Sequence, residues 1–89
     1  MNVKPTAVEY VNGDKYWYLD GKLHREDGPA REYADGEKHW YLHGKLHREN
    51  GPAMEYSLGT KEYWLNGKRL DFITDDQMLI YYLKYGFLK

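Results

Sequence analysis

Trp17-Tyr18-Leu19-Asp20-Gly21-Lys22-Leu23-His24-Arg25-Glu26-Asp27-Gly28-Pro29-Ala30 returns as Trp40-Tyr41-Leu42-His43-Gly44-Lys45-Leu46-His47-Arg48-Glu49-Asn50-Gly51-Pro52-Ala53. Twelve of these fourteen positions are identical at an offset of 23 residues, so the chain is built from repeats. A third, diverged copy follows at the same offset: Tyr63-Trp64-Leu65-Asn66-Gly67-Lys68-Arg69-Leu70. Upstream, Ala7-Val8-Glu9-Tyr10-Val11-Asn12-Gly13 matches residues 30–36 and 53–59.

Glycine punctuates the repeat, and the runs between glycines are short and rich in Tyr, Trp and Leu. Asn-Gly and Asp-Gly between such runs signal β-hairpins, because a type I′ turn needs positive φ at both central residues. If all three glycines of a repeat reversed the chain, equivalent strands of successive repeats would run in opposite directions. Two reversals per repeat restore the match. The Gly28-Pro29 and Gly51-Pro52 sites are then bends, since proline supplies no N–H to a ladder. Each repeat is thus expected to hold one short strand (14–19) and one long, bent strand (22–34).

Two-residue turns at Asn12-Gly13 and Asp20-Gly21 would put Val8, Tyr10, Trp17, Leu19 and His24 on one face. Arg31, Tyr33, Trp40, Leu42 and His47 would follow in the second repeat, and Met54, Tyr56, Tyr63, Leu65 and Leu70 in the third. That face is the expected core. The other would carry Ala7, Glu9, Tyr16, Tyr18, Leu23 and Arg25 with their counterparts. A one-residue change in turn length exchanges the two faces.

Residues 74–86 carry a helix signature. Thr74 and Gln77 have capping-box spacing, Asp75 and Asp76 suit a helix N-terminus, and Gly86 fits a C-terminal stop. The expected fold class is therefore mainly β: a single domain over residues 1–89. A twisted antiparallel meander of about three repeats and six strands spans 7–72. One C-terminal helix over 74–86 caps it.

Composition limits the chemistry. With 89 residues the chain has room for one small core, and its 17% aromatic content must supply most of the burial. A net charge of −1 disfavours a phosphate-binding footprint built on bulk charge. Zero cysteines exclude disulfides, thiolate metal ligands and a thiol nucleophile. No run approaches the ~20 apolar residues of a membrane span, and Met1-Asn2-Val3-Lys4-Pro5 is no signal peptide. A soluble cytoplasmic location is expected.

The 23-residue period, with its aromatic-x-Leu-Asp/Asn-Gly-Lys run and following His, resembles the MORN class of β-hairpin repeats. More closely, the Trp-Tyr-Leu-x-Gly-Lys-Leu-His-Arg-Glu-Asp/Asn-Gly-Pro-Ala unit is similar to repeats of uncharacterised tailed-phage and large-virus proteins. Where MORN repeats place a second glycine after the histidine, this chain has Arg25 and Arg48, so lipid binding is not carried over. The resemblance covers residues 7–70 and implies a twisted sheet used as scaffold or recognition surface. It further implies a small phage protein that inhibits or modulates a host protein, including defence machinery, in the cytoplasm of a bacterial host.

Candidate chemical groups have structural readings. His24 and His47 occupy one repeat position, opposite Trp17 and Trp40, and Leu70 replaces them in the last copy. That pattern fits packing better than metal ligation or general-base work. Arg25 and Arg48 are expected to pair with glutamates on neighbouring strands. Asp75 and Asp76 are explained by helix capping. No phosphate loop is present, and Ser57 is the one serine.

The expectation is a non-enzymatic protein-binding module, monomeric or homodimeric, without cofactor or metal. Its contact residues are expected to be Tyr18, Tyr41 and Trp64, flanked by Glu32, Glu55 and Arg48. Two alternatives stand beside it. Aromatic rows with recurring Lys15, Lys22, Lys38, Lys45, Lys61 and Lys68 could bind single-stranded nucleic acid or a nucleotide. Open sheet edges could make a self-assembling structural protein.

Overall fold

In each repeat the chain reverses over two residues that both adopt left-handed backbone. Asp20, His43 and Asn66 have φ of 52°, 52° and 51°, and the glycines after them have 76°, 80° and 80°. These are type I′ geometries, whose twist matches that of the flanking strands. The computed structural model describes residues 4–70 together with Asp76, Gln77, Leu79, Ile80 and Leu83.

Among the described residues ten short strands are formed: β1 (Thr6–Glu9), β2 (Lys15–Leu19), β3 (Lys22–Leu23), β4 (Arg31–Glu32) and β5 (Lys38–His39), then β6 (Tyr41–Leu42), β7 (Lys45–Leu46), β8 (Met54–Glu55), β9 (Lys61–Leu65) and β10 (Lys68–Leu70). All pairings are antiparallel. The order in space is β1-β2-β4-β5-β8-β9-β10, with β3 beside β2 and β6 paired to β7. Strands β5 and β6 flank Trp40 and together correspond to β2 one repeat earlier.

The expected long strand is divided. In the first repeat β3 pairs with the end of β2, with Tyr18 opposite Leu23. The chain then leaves the sheet over residues 25–29 and returns as β4, which pairs with the start of β2. Residue 17 joins the two segments: the Trp17 N–H donates to Ala30 O and its carbonyl accepts from His24 N–H. Pro29, which cannot donate to a ladder, lies in the excursion, as its chemistry requires.

The other reversal differs from expectation. Asn12-Gly13 is not a two-residue turn. Tyr10 N–H donates to Asp14 O at 2.8 Å and Gly13 N–H to Tyr10 O at 2.9 Å, enclosing a three-residue loop. Tyr33 with Glu37, and Tyr56 with Thr60, repeat the arrangement. Gly13 has φ 99°, while Asn12 is not left-handed. This is a type I turn closed by a glycine bulge rather than a type I′ turn.

The extra residue shifts the register by one: Ala7 faces Trp17 and Val8 faces Tyr16. Tyr10, Tyr33 and Tyr56 therefore leave the expected core face and join Tyr16 and Tyr18. Ala7, Ala30 and Ala53 move the opposite way, onto the face of Trp17, Leu19 and His24. The buried residues follow this corrected assignment. Ala30, Ala53, Tyr63, Leu65, His24 and His47 are all buried on the Trp face.

A single sheet must cover its own apolar face, and the excursions do this. The Arg25 guanidinium lies 3.8 Å from the Trp17 ring centroid, and Arg48 lies 3.8 Å from that of Trp40. Each such cation–π contact contributes about 0.5–2 kcal/mol. A Cβ on Gly28 would fall 2.9 Å from Arg25 Cζ, and one on Gly51 3.0 Å from Arg48 Cζ. The bend glycines are thus needed for close approach, not for positive φ.

Of the expected helix over 74–86, the described residues Asp76, Gln77, Leu79, Ile80 and Leu83 are helical, and the others lie outside the described residues. Leu79, Ile80 and Leu83 are 55%, 62% and 78% exposed, so a capping role is not supported. Among the described residues no helix is long and apolar enough to cross a membrane.

Candidate functional site

The two faces of the sheet do different work. On the Trp face each repeat is tied to the next by its histidine. His24 Nδ1 accepts the N–H of His43 at 2.9 Å, and His47 Nδ1 accepts that of Asn66 at 2.9 Å. These donors belong to the left-handed turn residues of the following hairpin. An accepting Nδ1 leaves the ring proton on Nε2, which faces Glu26 at 3.6 Å or Glu49 at 3.4 Å. Backbone bonds complete the joint: Arg25 N–H to Tyr41 O and Gly44 N–H to Leu23 O, then Arg48 N–H to Trp64 O and Gly67 N–H to Leu46 O. The histidines are structural couplers, consistent with their expected place opposite Trp17 and Trp40.

The arginines lock the excursions. Arg25 Nη1 donates to Pro29 O at 3.2 Å and Glu32 Oε2 at 3.4 Å, while Nε donates to Asp27 at 3.0 Å. Arg48 Nη1 donates to Pro52 O at 3.1 Å and Glu55 Oε2 at 3.0 Å. The expected arginine–glutamate pairing is present in both repeats. Between the two excursions runs an open groove of about 770 Å³ floored by Trp40 and Leu42, with Glu26, Asp27 and Glu49 on its walls. Among the described residues no group of three or more His, Cys, Asp or Glu could hold a metal ion.

The opposite face is aromatic. Tyr16 meets Tyr10 edge-on at 5.1 Å between centroids and Tyr33 at 5.8 Å. His39, itself buried, meets Tyr33 at 5.1 Å and Tyr41 and Tyr56 at 6.5 Å each. Arg31 lies 5.0 Å from the Tyr16 ring and 5.6 Å from Tyr41. Its Nη1 donates to Tyr33 Oη at 3.3 Å. Arg31 Nε and His39 Nδ1 are buried and without hydrogen-bond partners.

Three phenols are shifted upward. Tyr16 is raised above the ordinary tyrosine value first by its hydrogen bond to Tyr33 and then by burial. Tyr18 is raised by burial and then by a hydrogen bond to Tyr10. Tyr56 is raised by burial and by bonding to Glu62, which accepts from its hydroxyl at 3.1 Å.

The six expected contact residues do not form one cluster. Tyr18, Tyr41 and Trp64 lie at one-repeat intervals on the aromatic face, all half-buried. Glu32 and Glu55 lie opposite Lys15 and Lys38 on the Trp face, and Arg48 is committed to Trp40 and Glu55. Arg31 and His39 belong with the aromatic row and were missed. A signal for them exists within the chain, because this face varies at three repeat positions beside the constant row Tyr10, Tyr33 and Tyr56: Val8, Arg31, Met54; Tyr16, His39, Glu62; Tyr18, Tyr41, Trp64. The Trp-face positions, including Ala7, Ala30, Ala53 and Leu19, Leu42, Leu65, repeat with little change. No family model, curated protein or solved structure matches the chain.

Proposed function

We propose that the protein is a non-enzymatic protein-binding module whose contact surface is the aromatic face, centred on Tyr18, Tyr41 and Trp64. The supporting observation is the division of labour between the faces. The repeats keep most of the Trp-face residues that hold the fold, whereas on the aromatic side they keep Tyr10, Tyr33 and Tyr56 but change the positions beside them, where half-buried rings and Arg31 remain. Tyr, Trp and Arg are the residues that most often anchor protein interfaces. Glu32, Glu55 and Arg48 are assigned to the fold instead. Inhibition or modulation of a host protein is the biological form that the repeat resemblance implies.

The alternation of lysine and glutamate on the Trp face speaks against the nucleic-acid alternative. Lys15 lies between Glu9 and Glu32, and Lys38 between Glu32 and Glu55. A phosphate track needs uncompensated cations.

The test is affinity capture with chemical cross-linking, followed by titration of the captured protein against wild type and a Tyr18→Ala/Tyr41→Ala/Trp64→Ala variant. Loss of at least about 2 kcal/mol of binding is expected if these are anchors. Equal affinity in a variant with an unchanged circular dichroism spectrum overturns the reading.

A further inference from the structure

The charged row on the Trp face has two complementary ends. Directly opposed pairs run Glu9–Lys15, Lys15–Glu32, Glu32–Lys38, Lys38–Glu55 and Glu55–Lys61, a ladder of alternating sign across the sheet. It begins at exposed Glu9 on the edge strand β1 and ends at exposed Lys61 on β9. Every interior member has an opposite charge on both sides. Among the described residues, Glu9 and Lys61 have one on a single side.

The strands that carry these ends are also counterparts of strands that already pair. β1 corresponds in sequence to β4, and β4 receives β2 on its outer side with Glu32 opposite Lys15 and Arg31 opposite Tyr16. The third-repeat counterpart of β2 is β9. A second copy presenting β9 to β1 would therefore meet it in a register the molecule uses internally, with Lys61 opposite Glu9.

The backbone is oriented for this contact. Tyr10 N–H bonds inward to Asp14 O, so strand alternation turns Tyr10 and Val8 toward β2, and Ala7 and Glu9 outward. The turn surface agrees. The Lys22 stem packs on Gly44 and the Lys45 stem on Gly67, whereas a Cβ on Gly21 would meet nothing within 4 Å. Lys68 of a second copy is the counterpart residue for that place.

We infer that the chain associates head to tail with a second copy of itself, β9 of one copy pairing with β1 of the next across Lys61 and Glu9. Two inter-repeat contacts are not reproduced. β10 runs on to pair Leu70 with Tyr63, the counterpart of Trp17, whose N–H goes to Ala30 O between repeats. Leu70 stands where His24 and His47 accept a turn N–H, so the junction between copies is weaker than the junction between repeats. The contact is heterologous, and nothing in its geometry limits it to two copies. Edge strands are usually protected by lysine, proline or a bulge. β1 reads Thr-Ala-Val-Glu, and its single charge is the one that Lys61 complements. This contact uses sheet edges and leaves the aromatic face untouched, so its failure would not bear on the proposed function.

The experiment is sedimentation velocity of the full chain over a range of concentrations at low and high salt. The expected result is an average mass that grows with concentration beyond a dimer and falls with salt. Glu9→Lys and Lys61→Glu should each weaken association several-fold. An equimolar mixture of the two should associate again, because Lys61 of the first variant meets Glu9 of the second. A wild-type chain that stays monomeric, association that closes at a dimer, or single reversals that associate like wild type overturns the inference. Failure of the mixture to recover does so too.

Discussion

Leu70 explains His24 and His47 better than either histidine explains itself. Each histidine reaches forward to the N–H of a left-handed turn residue in the next hairpin, 19 positions along the chain. Residues 76–82 do not repeat the Ala-x-Glu-Tyr run of 7–10, 30–33 and 53–56, so the pattern that each histidine serves is broken after Leu70. The packing role against tryptophan was legible from recurrence alone. The hydrogen bond was not, because its donor is a backbone N–H that leaves no mark in the sequence. Replacing His24 or His47 by leucine should cost about 1–3 kcal/mol, the penalty for stranding a partly buried donor. Urea unfolding of each variant checks it, and a change inside ±0.5 kcal/mol would contradict the coupling role. Gly28 is a second residue of this kind. Its alanine variant must shift the Arg25 guanidinium on Trp17, at the cost of part of a cation–π contact of about 0.5–2 kcal/mol. Tryptophan fluorescence should change with stability.

At the scale of the element, the two kinds of reversal test how far turn chemistry can be read. Asp20-Gly21 and its counterparts were read correctly, because each is flanked by runs whose alternation continues across the turn. Asn12-Gly13 carries the same dipeptide signal but closes a different loop. The third copy held the distinguishing information. There the equivalent residues are Leu58-Gly59, and a leucine does not readily take the positive φ that a type I′ turn demands at its first position. Reading all three copies together would have excluded that turn and restored the register. The faces then follow, since one residue of slip exchanges them. The Arg-on-Trp excursions had no such signal, because nothing local announces that a guanidinium will lie over an aromatic ring eight residues earlier. The contrast can be measured. Asn66→Val forces a β-branched residue to φ near 51° and should cost at least about 1–2 kcal/mol. Leu58→Val, at an exposed position without positive φ, should stay within about 0.5 kcal/mol. Thermal unfolding of both variants decides whether the two reversals differ as described.

For the molecule as a whole, hydrogen-bonded phenols add to apolar burial, since Leu65 is the one branched aliphatic side chain that is buried among the described residues. Tyr16, Tyr18 and Tyr56 all hold their protons more tightly in the fold than an ordinary tyrosine does. In the unfolded chain a tyrosine loses its proton near pH 10. Above that pH the folded state therefore binds more protons than the unfolded state, and linkage makes stability fall as pH rises. The contribution is complete below the ordinary tyrosine range and is lost as pH climbs through the raised folded values. The phenolates of Tyr16, Tyr18 and Tyr56 should accordingly appear late on alkaline titration, and their appearance should accompany loss of the β-sheet circular dichroism signal. Tyr56→Phe removes one of the three protons from this linkage, so its melting temperature should depend less steeply on pH above 10 than that of wild type. A single phenol titration at the ordinary value, with the sheet intact beyond it, would mean that the aromatic face is more open to water than its ring contacts indicate.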